Sequence, residues 1–238
     1  DRTKSRGLGD VYKRQEECLY GTELSFMGIM TPSEFIPFET SVDYKPLFDG
    51  NMGPNTGGMG CISPSPFMND VLREKIMKKV VQPTIDGLNN MDVSYYGFMY
   101  FGLMVKDDNP KVLEFNCRLG DPETQCLMMQ MDSDLVECLE DALDNKKVSI
   151  SWKQGSSMGV VIASSGYPEK YKTKLPINIG NLDKLKLFHA GTEIVEKELL
   201  TSGGRVFSLN YHASNLEDCM SYIYNRIDEI EFDGTIYR

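Results

Sequence analysis

Glu114, Asn116 and Arg118 are the residues whose types and spacing most readily support chemistry. They fall in the run Glu114-Phe-Asn-Cys-Arg-Leu-Gly-Asp-Pro-Glu-Thr-Gln125, directly after Lys111-Val112-Leu113. The segment reads as a strand running into a turn and then a helix. Alternate side chains of a strand share a face, which sets a carboxylate, an amide and a guanidinium side by side within about 13 Å of chain. A carboxylate beside a neutral oxygen suits Mg²⁺, a hard cation that shares its oxygen ligands with substrate phosphates. The guanidinium can grip a phosphoryl oxygen bidentately. In the turn, Asp121-Pro122 reads as a helix start, with Asp as N-cap and Pro at the first helical position. The free N–H groups of that first turn favour an anion. A solvated edge strand followed by an ordinary helix has the same spacing, so this segment alone leaves both readings open.

A second run, Gly53-Pro-Asn-Thr-Gly-Gly-Met-Gly60, places four glycines in eight residues. Each glycine costs about 0.5–1 kcal/mol in a helix or strand interior, so a loop is expected. Such a loop allows positive φ and lets backbone N–H groups approach a phosphate or carboxylate closely. A flexible surface turn has the same composition.

The elements that must position these runs follow from periodicity. Residues 16–19 and 24–30 read as strand material around Gly21, and 35–38 as a short strand. A long loop is expected from Asp43 to Pro66, a length that is usually functional. Residues 69–90 carry Val71, Leu72, Ile76 and Val80 at helical spacing, with Asn69 as cap and Pro83 expected to kink or divide the helix. Residues 95–105 and 111–116 are expected to form a hairpin turned by Lys106-Asp-Asp-Asn-Pro110. Two helices are expected over 122–131 and 133–144, the second with Leu135, Val136, Leu139 and Leu143 on one face. Met128, Met129 and Met131 read as core filling. From Ser151 the pattern becomes short strands (157–164, 186–189, 205–211) with turns at Gly166, Gly191 and Gly203-Gly204, then a helix over about 215–230.

Composition narrows the function class. The net charge of −10 argues against nonspecific nucleic-acid binding. No apolar run reaches the length of a membrane span, and no membrane partner is expected. Cys18, Cys61, Cys117, Cys126, Cys138 and Cys219 show no paired metal spacing and read as reduced thiols of a cytoplasmic protein. His189 and His212, the two histidines, read as structural or surface residues. Residues 1–15 carry five basic and two acidic side chains without periodicity and read as a foreign or disordered tail.

Together, GPNTGGMG and EFNCRLGDPETQ closely resemble the glycinamide ribonucleotide synthetase (phosphoribosylamine–glycine ligase) family of ATP-grasp enzymes. The runs Glu16-Glu-Cys-Leu-Tyr-Gly-Thr-Glu-Leu-Ser-Phe26, Tyr96-Gly-Phe-Met-Tyr-Phe-Gly-Leu103, Gly166-Tyr-Pro168, Phe188-His-Ala-Gly-Thr192 and Gly203-Gly-Arg-Val206 match in the same order. The resemblance implies an α+β fold: a partial ATP-grasp lobe with a mixed or antiparallel sheet over 16–150, then a small C-terminal α/β domain over 151–238. It implies ligation of glycine to phosphoribosylamine at the expense of ATP, through glycyl phosphate, in purine biosynthesis. Glu114 and Asn116 are implied to hold Mg²⁺ or Mn²⁺, and Arg118 to face the transferring phosphoryl group. Glu16, Glu17 and Leu19 match the hinge that accepts adenine, and Glu23 the acid that holds the ribose. Asp43, Lys45, Asn55, Thr56, Gly57, Gly58, Met59, Gly60, Asp121 and Pro122 match the glycine and phosphoribosylamine side. Another ATP-grasp carboxylate–amine ligase, or a nucleotide-binding remnant without turnover, is the alternative.

Two departures from the family pattern are visible. Asp43-Tyr-Lys-Pro46 stands where Asp-His-Lys-Arg is usual, and Leu119 replaces a common Phe. Nothing in the chain resembles the family's N-terminal domain or the small ATP-grasp lobe. The chain is therefore expected to be a piece of a monomeric parent enzyme, inactive alone.

Overall fold

The computed structural model describes residues 17–238. Glu16 and the expected tail at 1–15 lie outside the described residues. The chain opens with strands β1 (Thr22–Met30), β2 (Phe35–Pro37), β3 (Val42–Asp43), β4 (Pro46–Phe48), β5 (Met52–Asn55) and β6 (Gly60–Ser63). The stretch expected as one long loop thus holds three short strands, because β4 and β5 fold on each other as a ribbon and β6 joins a larger sheet.

Helices α1 (Asp70–Ile76) and α2 (Gln82–Asn90) flank a π-type turn at Met77–Val81. Asn69 caps α1 through its Oδ1, which accepts from the Leu72 N–H at 2.8 Å. Leu72, Ile76 and Val80 are buried at intervals of four, and the wider π turn then lets Val81 and Ile85 keep facing inward past Pro83. Val71 was expected on the apolar face; it is 55% exposed because burial begins one position later.

Strands β7 (Gly97–Lys106) and β8 (Asn109–Asn116) form the expected hairpin, turned at Asp107 and Asp108 with φ of 51° and 52°. Helices α3 (Glu123–Gln130) and α4 (Leu135–Leu143) follow. In α4 the inward residues are Cys138 and Ala142, with Leu135 and Leu139 beside them. Val136 and Leu143, expected on that face, are 62% and 63% exposed, since they lie one residue off the stripe that meets the core.

The rest comprises β9 (Ser156–Ser164), β10 (Asn178–Ile179), β11 (Lys186–His189), β12 (Thr192–Val195), β13 (Glu198–Thr201), β14 (Arg205–Ala213), helix α5 (Leu216–Tyr224), β15 (Ile230–Glu231) and β16 (Thr235–Ile236). The helix expected to reach 230 stops at Tyr224, and a 3₁₀ turn spans Ile227–Glu229.

Two sheets organise these elements. The first runs β2-β1-β7-β8, all antiparallel. One face of it, Leu24 and Phe26 with Met99, Phe101 and Leu103, packs on α1 and α2. The second runs β11-β14-β9-β6-β3, so strands from both sides of residue 150 share one sheet. Helix α5 covers one of its faces through Cys219 and Ile223. Helix α3 lies between the two sheets. Leu127 packs on Met27, Ile29 and Tyr100 of the first, while the Cys126 thiol meets Ser157 Oγ of the second at 3.2 Å. A bridge from Ser25 N–H to Ser41 O at 3.2 Å joins β1 to the start of β3.

Candidate active site

Strand register determines what shares the other face of the first sheet. Glu23, Ser25 and Met27 on β1 lie opposite Met104, Gly102 and Tyr100 on β7, and Gly102 and Tyr100 lie opposite Glu114 and Asn116 on β8. Paired residues face the same way, so Glu23, Ser25, Tyr100, Glu114 and Asn116 occupy one surface. Its Met27 end is covered by α3 and α4; its Glu23 and Glu114 end is open. Glu114 lies across β7 from Ser25, and Glu23 lies two residues further along β1, so with strands about 4.8 Å apart and about 3.4 Å of rise per residue the two carboxylates' backbones stand about 12 Å from one another. Gly102 keeps the space between them clear: a Cβ there would lie 2.9 Å from Glu114 Cγ.

Glu114 and Asn116 are therefore side by side, as their spacing implies. Asn116 Nδ2 donates to Glu114 Oε1 at 3.0 Å, and among the described residues neither side chain has another hydrogen-bond partner. This leaves one carboxylate oxygen and one amide oxygen facing outward. Among the described residues no group of three His, Cys, Asp or Glu side chains could enclose a metal. The pair suits a divalent ion that takes its remaining ligands from water and phosphate oxygens. Arg118 is exposed, and its Nη1 donates to Leu119 O at 2.9 Å. The structure does not bring it into contact with Glu114 or Asn116.

The register also shows what alternation along β8 misses. A bulge at Leu113 places Val112 opposite Leu103 and Lys111 opposite Met104. The extra residue turns Lys111 onto the polar face, three positions from Glu114 rather than two or four. There its ammonium meets Glu17 Oε2 at 2.6 Å. Glu17, Cys18, Leu19 and Tyr20 line a cavity of 390 Å³ with Met104, Lys106 and Lys111, open at the same end of the sheet. The segment expected as an adenine hinge thus borders the face that carries Glu23 and Glu114. Residues 17–20 lie outside any strand or helix, where a strand was expected over 16–19, because they find no ladder partner among the described residues.

At the β3 corner the polar groups are connected, running from the partly exposed Glu23 and Lys45 to the buried Asp43, Ser25, Tyr100 and Glu123. Lys45 Nζ lies 3.0 Å from Glu23 Oε2 and 3.1 Å from Asp43 Oδ2, joining the residue expected at the ribose to those expected at the amino-acid side. Glu123, 2% exposed, accepts from Ser25 Oγ at 2.9 Å, and Ser25 Oγ lies 3.1 Å from Tyr100 Oη. Asp43 Oδ1 and Glu123 Oε2 are both buried without a hydrogen-bond partner. Burial, reinforced by the Glu123 charge, pushes the Asp43 carboxyl up to about 7 against the pull of Lys45 and Arg205. Burial would lower Lys45, but Asp43, Tyr100 and Glu23 outweigh it and hold the ammonium above its usual value. Burial and Glu123 also raise the Tyr100 phenol.

The glycine-rich loop differs from an open anion cradle. Thr56 N–H donates to Lys45 O at 2.9 Å and Met59 N–H to Tyr44 O at 2.8 Å. Gly57 N–H donates to Tyr167 Oη at 2.8 Å and Gly58 N–H to Thr56 Oγ1 at 3.0 Å. These four amides are taken by protein acceptors, because the loop is pressed between Tyr44–Lys45 and the Asp121 turn. Gly58, at φ +115°, is needed there: a Cβ would lie 2.5 Å from both Asp43 Oδ1 and Pro122 Cδ. Met59 and Gly60 are buried, while Asn55 remains exposed.

Asp121 is not the N-cap of α3. Pro122 occupies that position without a side-chain cap, and the Asp121–Pro122 peptide is cis. The reason is competition: Asp121 O and Oδ2 accept from Arg205, and Oδ1 accepts from Gln125 Nε2 at 2.9 Å. Arg205, Tyr167, Ser25, Tyr100 and Glu123 all meet at this corner without having been singled out for a role in the sequence. Arg205 and Tyr167 lie in runs that carry the family resemblance, but an isolated Arg after two glycines has no local signature of such a role. His189 Nδ1 lies 2.9 Å from Thr192 Oγ1 and packs on Phe207, as a structural histidine does. All six cysteines are unpaired.

Comparison with known proteins places this geometry. Residues 13–124 match the family described as phosphoribosylglycinamide synthetase, ATP-grasp (A) domain, and residues 157–238 match phosphoribosylglycinamide synthetase, C domain. The chain belongs to the phosphoribosylglycinamide synthetase family. A phosphoribosylamine–glycine ligase of Salmonella typhimurium is 40% identical over 247 residues, spanning 100% of this chain and 58% of that protein. One of Halalkalibacterium halodurans is 40% identical over 227 residues, 94% of this chain and 53% of that protein. The chain thus spans a little over half the length of these curated relatives. Among solved structures, a phosphoribosylamine–glycine ligase of Thermotoga maritima superposes with a TM-score of 0.87 at 32% identity, over 94% of this chain and 56% of that one. The biotin carboxylase domain of a thermophilic 2-oxoglutarate carboxylase shares the fold alone, with a TM-score of 0.64 at 14% identity over 90% of this chain and 48% of that one. The α+β architecture with antiparallel sheets is that of ATP-grasp synthetases of this family. Among the described residues no helix is long and apolar enough to cross a membrane.

Proposed function

We propose that the protein to which this chain belongs joins glycine to 5-phosphoribosylamine using ATP, giving glycinamide ribonucleotide, ADP and phosphate. The observation that carries this reading is the shared face of the first sheet, where Glu23 on β1 and Glu114 and Asn116 on β8 stand to either side of β7, next to the Lys45–Asp43 corner. The family relationship supplies the reaction. Glycine's carboxylate attacks the γ-phosphorus of ATP and ADP leaves; the amine of phosphoribosylamine then displaces phosphate from the acyl phosphate and forms the amide.

The residues act by positioning and by matching charge. Glu17 and Leu19 border the adenine, and Glu23 accepts from the ribose hydroxyls while Lys45 holds its carboxylate in place. Glu114 and Asn116 present oxygens to Mg²⁺ or Mn²⁺, which when bound neutralises charge on the phosphates. Arg118, unattached to the pair, is free to swing onto the transferring phosphoryl group. Asp43, Lys45 and the loop Asn55–Gly60 with Asp121 and Pro122 shape the glycine and phosphoribosylamine side, chiefly through side chains and geometry, since the loop amides are taken. The protein works as a monomer in the cytoplasm.

ADP release from the full-length protein, measured against a panel of amino acids with phosphoribosylamine present, tests this. Glycine is expected to be preferred; strong preference for another acid would replace the assignment with a different ATP-grasp ligase.

A further inference from the structure

Arg205, the first residue of β14, reaches out of the second sheet to two segments far away in sequence. Nη1 donates to Gly57 O and to Asp121 O, each at 2.7 Å, and Nη2 donates to Asp121 Oδ2 at 2.9 Å. Tyr167 adds a fourth link by accepting from the Gly57 N–H. Both side chains come from one corner of the second half of the chain, since a Cβ on Gly204 would lie 2.3 Å from the Tyr167 ring. Gly57 is held between them: a Cβ there would lie 3.1 Å from Tyr167 Oη and 3.2 Å from Arg205 Cζ. A planar guanidinium with several fixed donors can hold two segments at a set separation, whereas an ammonium on a flexible stem cannot. Arg205 contacts none of Glu17, Glu23, Glu114 or Asn116.

We propose that Arg205 is a positioning residue that locks the Gly57–Gly58 loop to the Asp121 turn and so sets affinity for the amino-acid substrate, independently of the nucleotide. This rests on the ligase reading above. Through the loop, Arg205 also sets where Gly58 presses on Asp43, and Asp43 in turn orients Lys45.

The test compares Arg205→Ala, Arg205→Lys, Gly57→Ala and the Arg205→Ala/Gly57→Ala double variant in the full-length protein, varying glycine and MgATP separately. Arg205→Ala is expected to raise KM for glycine about tenfold or more, with KM for ATP within about twofold, as for a residue that positions one substrate. Arg205→Lys should recover little of this. Gly57→Ala should be harmful alone and clearly less so once Arg205 is gone, because the guanidinium, one of the two groups its methyl would meet, has been removed while Tyr167 Oη remains. Parallel rises in both KM values, or simple additivity of the two substitutions, would overturn the proposal. If the wild-type protein releases no ADP with glycine, the ligase reading fails instead. Hydrogen exchange at the Gly57 and Gly58 amides then judges the clamp: faster exchange in Arg205→Ala sustains it, and unchanged exchange rejects it.

Discussion

Glu114 and Asp43 are carboxylates that flank the same working surface, yet their surroundings are opposite. Glu114 is exposed on the edge strand β8, and among the described residues its one hydrogen-bond partner is the neighbouring Asn116. Asp43 is buried beside Lys45 and Glu123, under Gly58, with Arg205 close enough to act on its charge. One region leaves its oxygens free for an external cation. The other has assembled its charges in advance, and places them by contacts from β1, β3, β7, α3 and β14. A group that must give its lone pairs to a ligand is best left unsatisfied and solvated, while a group that must hold a shape is best cross-linked out of water. The two carboxylates should therefore fail in different ways when altered.

Glu114→Ala should give the largest loss of activity. On the proposed reading Glu114 holds a divalent ion, and removing such a carboxylate costs several kcal/mol of transition-state stabilisation, or about a hundredfold or more in turnover. Being exposed, the site should leave unfolding stability within about 0.5 kcal/mol. ADP release and denaturant midpoints measured on the same full-length preparation would check both halves, and a large loss of stability would erase the contrast with Asp43.

Gly58→Ala should show the reverse balance, with stability falling first. A methyl at φ +115° that meets Asp43 Oδ1 and Pro122 Cδ at 2.5 Å should cost about 2–4 kcal/mol through strain and displaced packing. Wild-type stability in this variant would show that the corner yields as readily as the β8 edge.

Asp43 offers a pH test. Its carboxyl rises from 3.8 to about 7 in the fold, so folding favours the neutral form. The native state then binds more protons than the unfolded chain between those values, and stability falls as pH rises from about 4 to 7. Asp43→Asn removes the titrating group, so its melting temperature should lose less over that window than the wild type does, by a few degrees. Parallel curves would show that Asp43 is charged throughout.

Lys111→Ala should have the smallest effect on stability, about 0–1 kcal/mol, because the Lys111–Glu17 pair is largely exposed and screened by solvent. A larger cost would mean that the open end of the sheet is braced like the corner.

Much of this was legible along the chain. Asn69 as a cap, the β7–β8 hairpin, the strands at 157–164 and 205–211 and the common face of Glu114 and Asn116 all follow from local signals. The failures have equally specific causes. Val136 and Leu143 are apolar but lie off the stripe that α4 turns inward, and Asp121 looks like an N-cap until Arg205 takes its acceptors. Lys111 lies on the wrong side of a strict alternation, and only the bulge at Leu113 corrects it. The glycine-rich run reads equally well as an anion cradle or a turn, because composition cannot say which partners will take its amides.

By itself, then, the sequence determined the family, most of the helices and longer strands, and the side-by-side placement of Glu114 and Asn116, since these depend on residue types at fixed short spacing. Tertiary structure alone decided that Glu123 would be buried against Ser25, 98 residues away, and that Arg205 would grip Asp121 across 84. Contacts over such separations carry no period that can be read along the chain. They exist only once α3 is enclosed between the two sheets, where burial and scarcity of partners dictate which polar groups must meet.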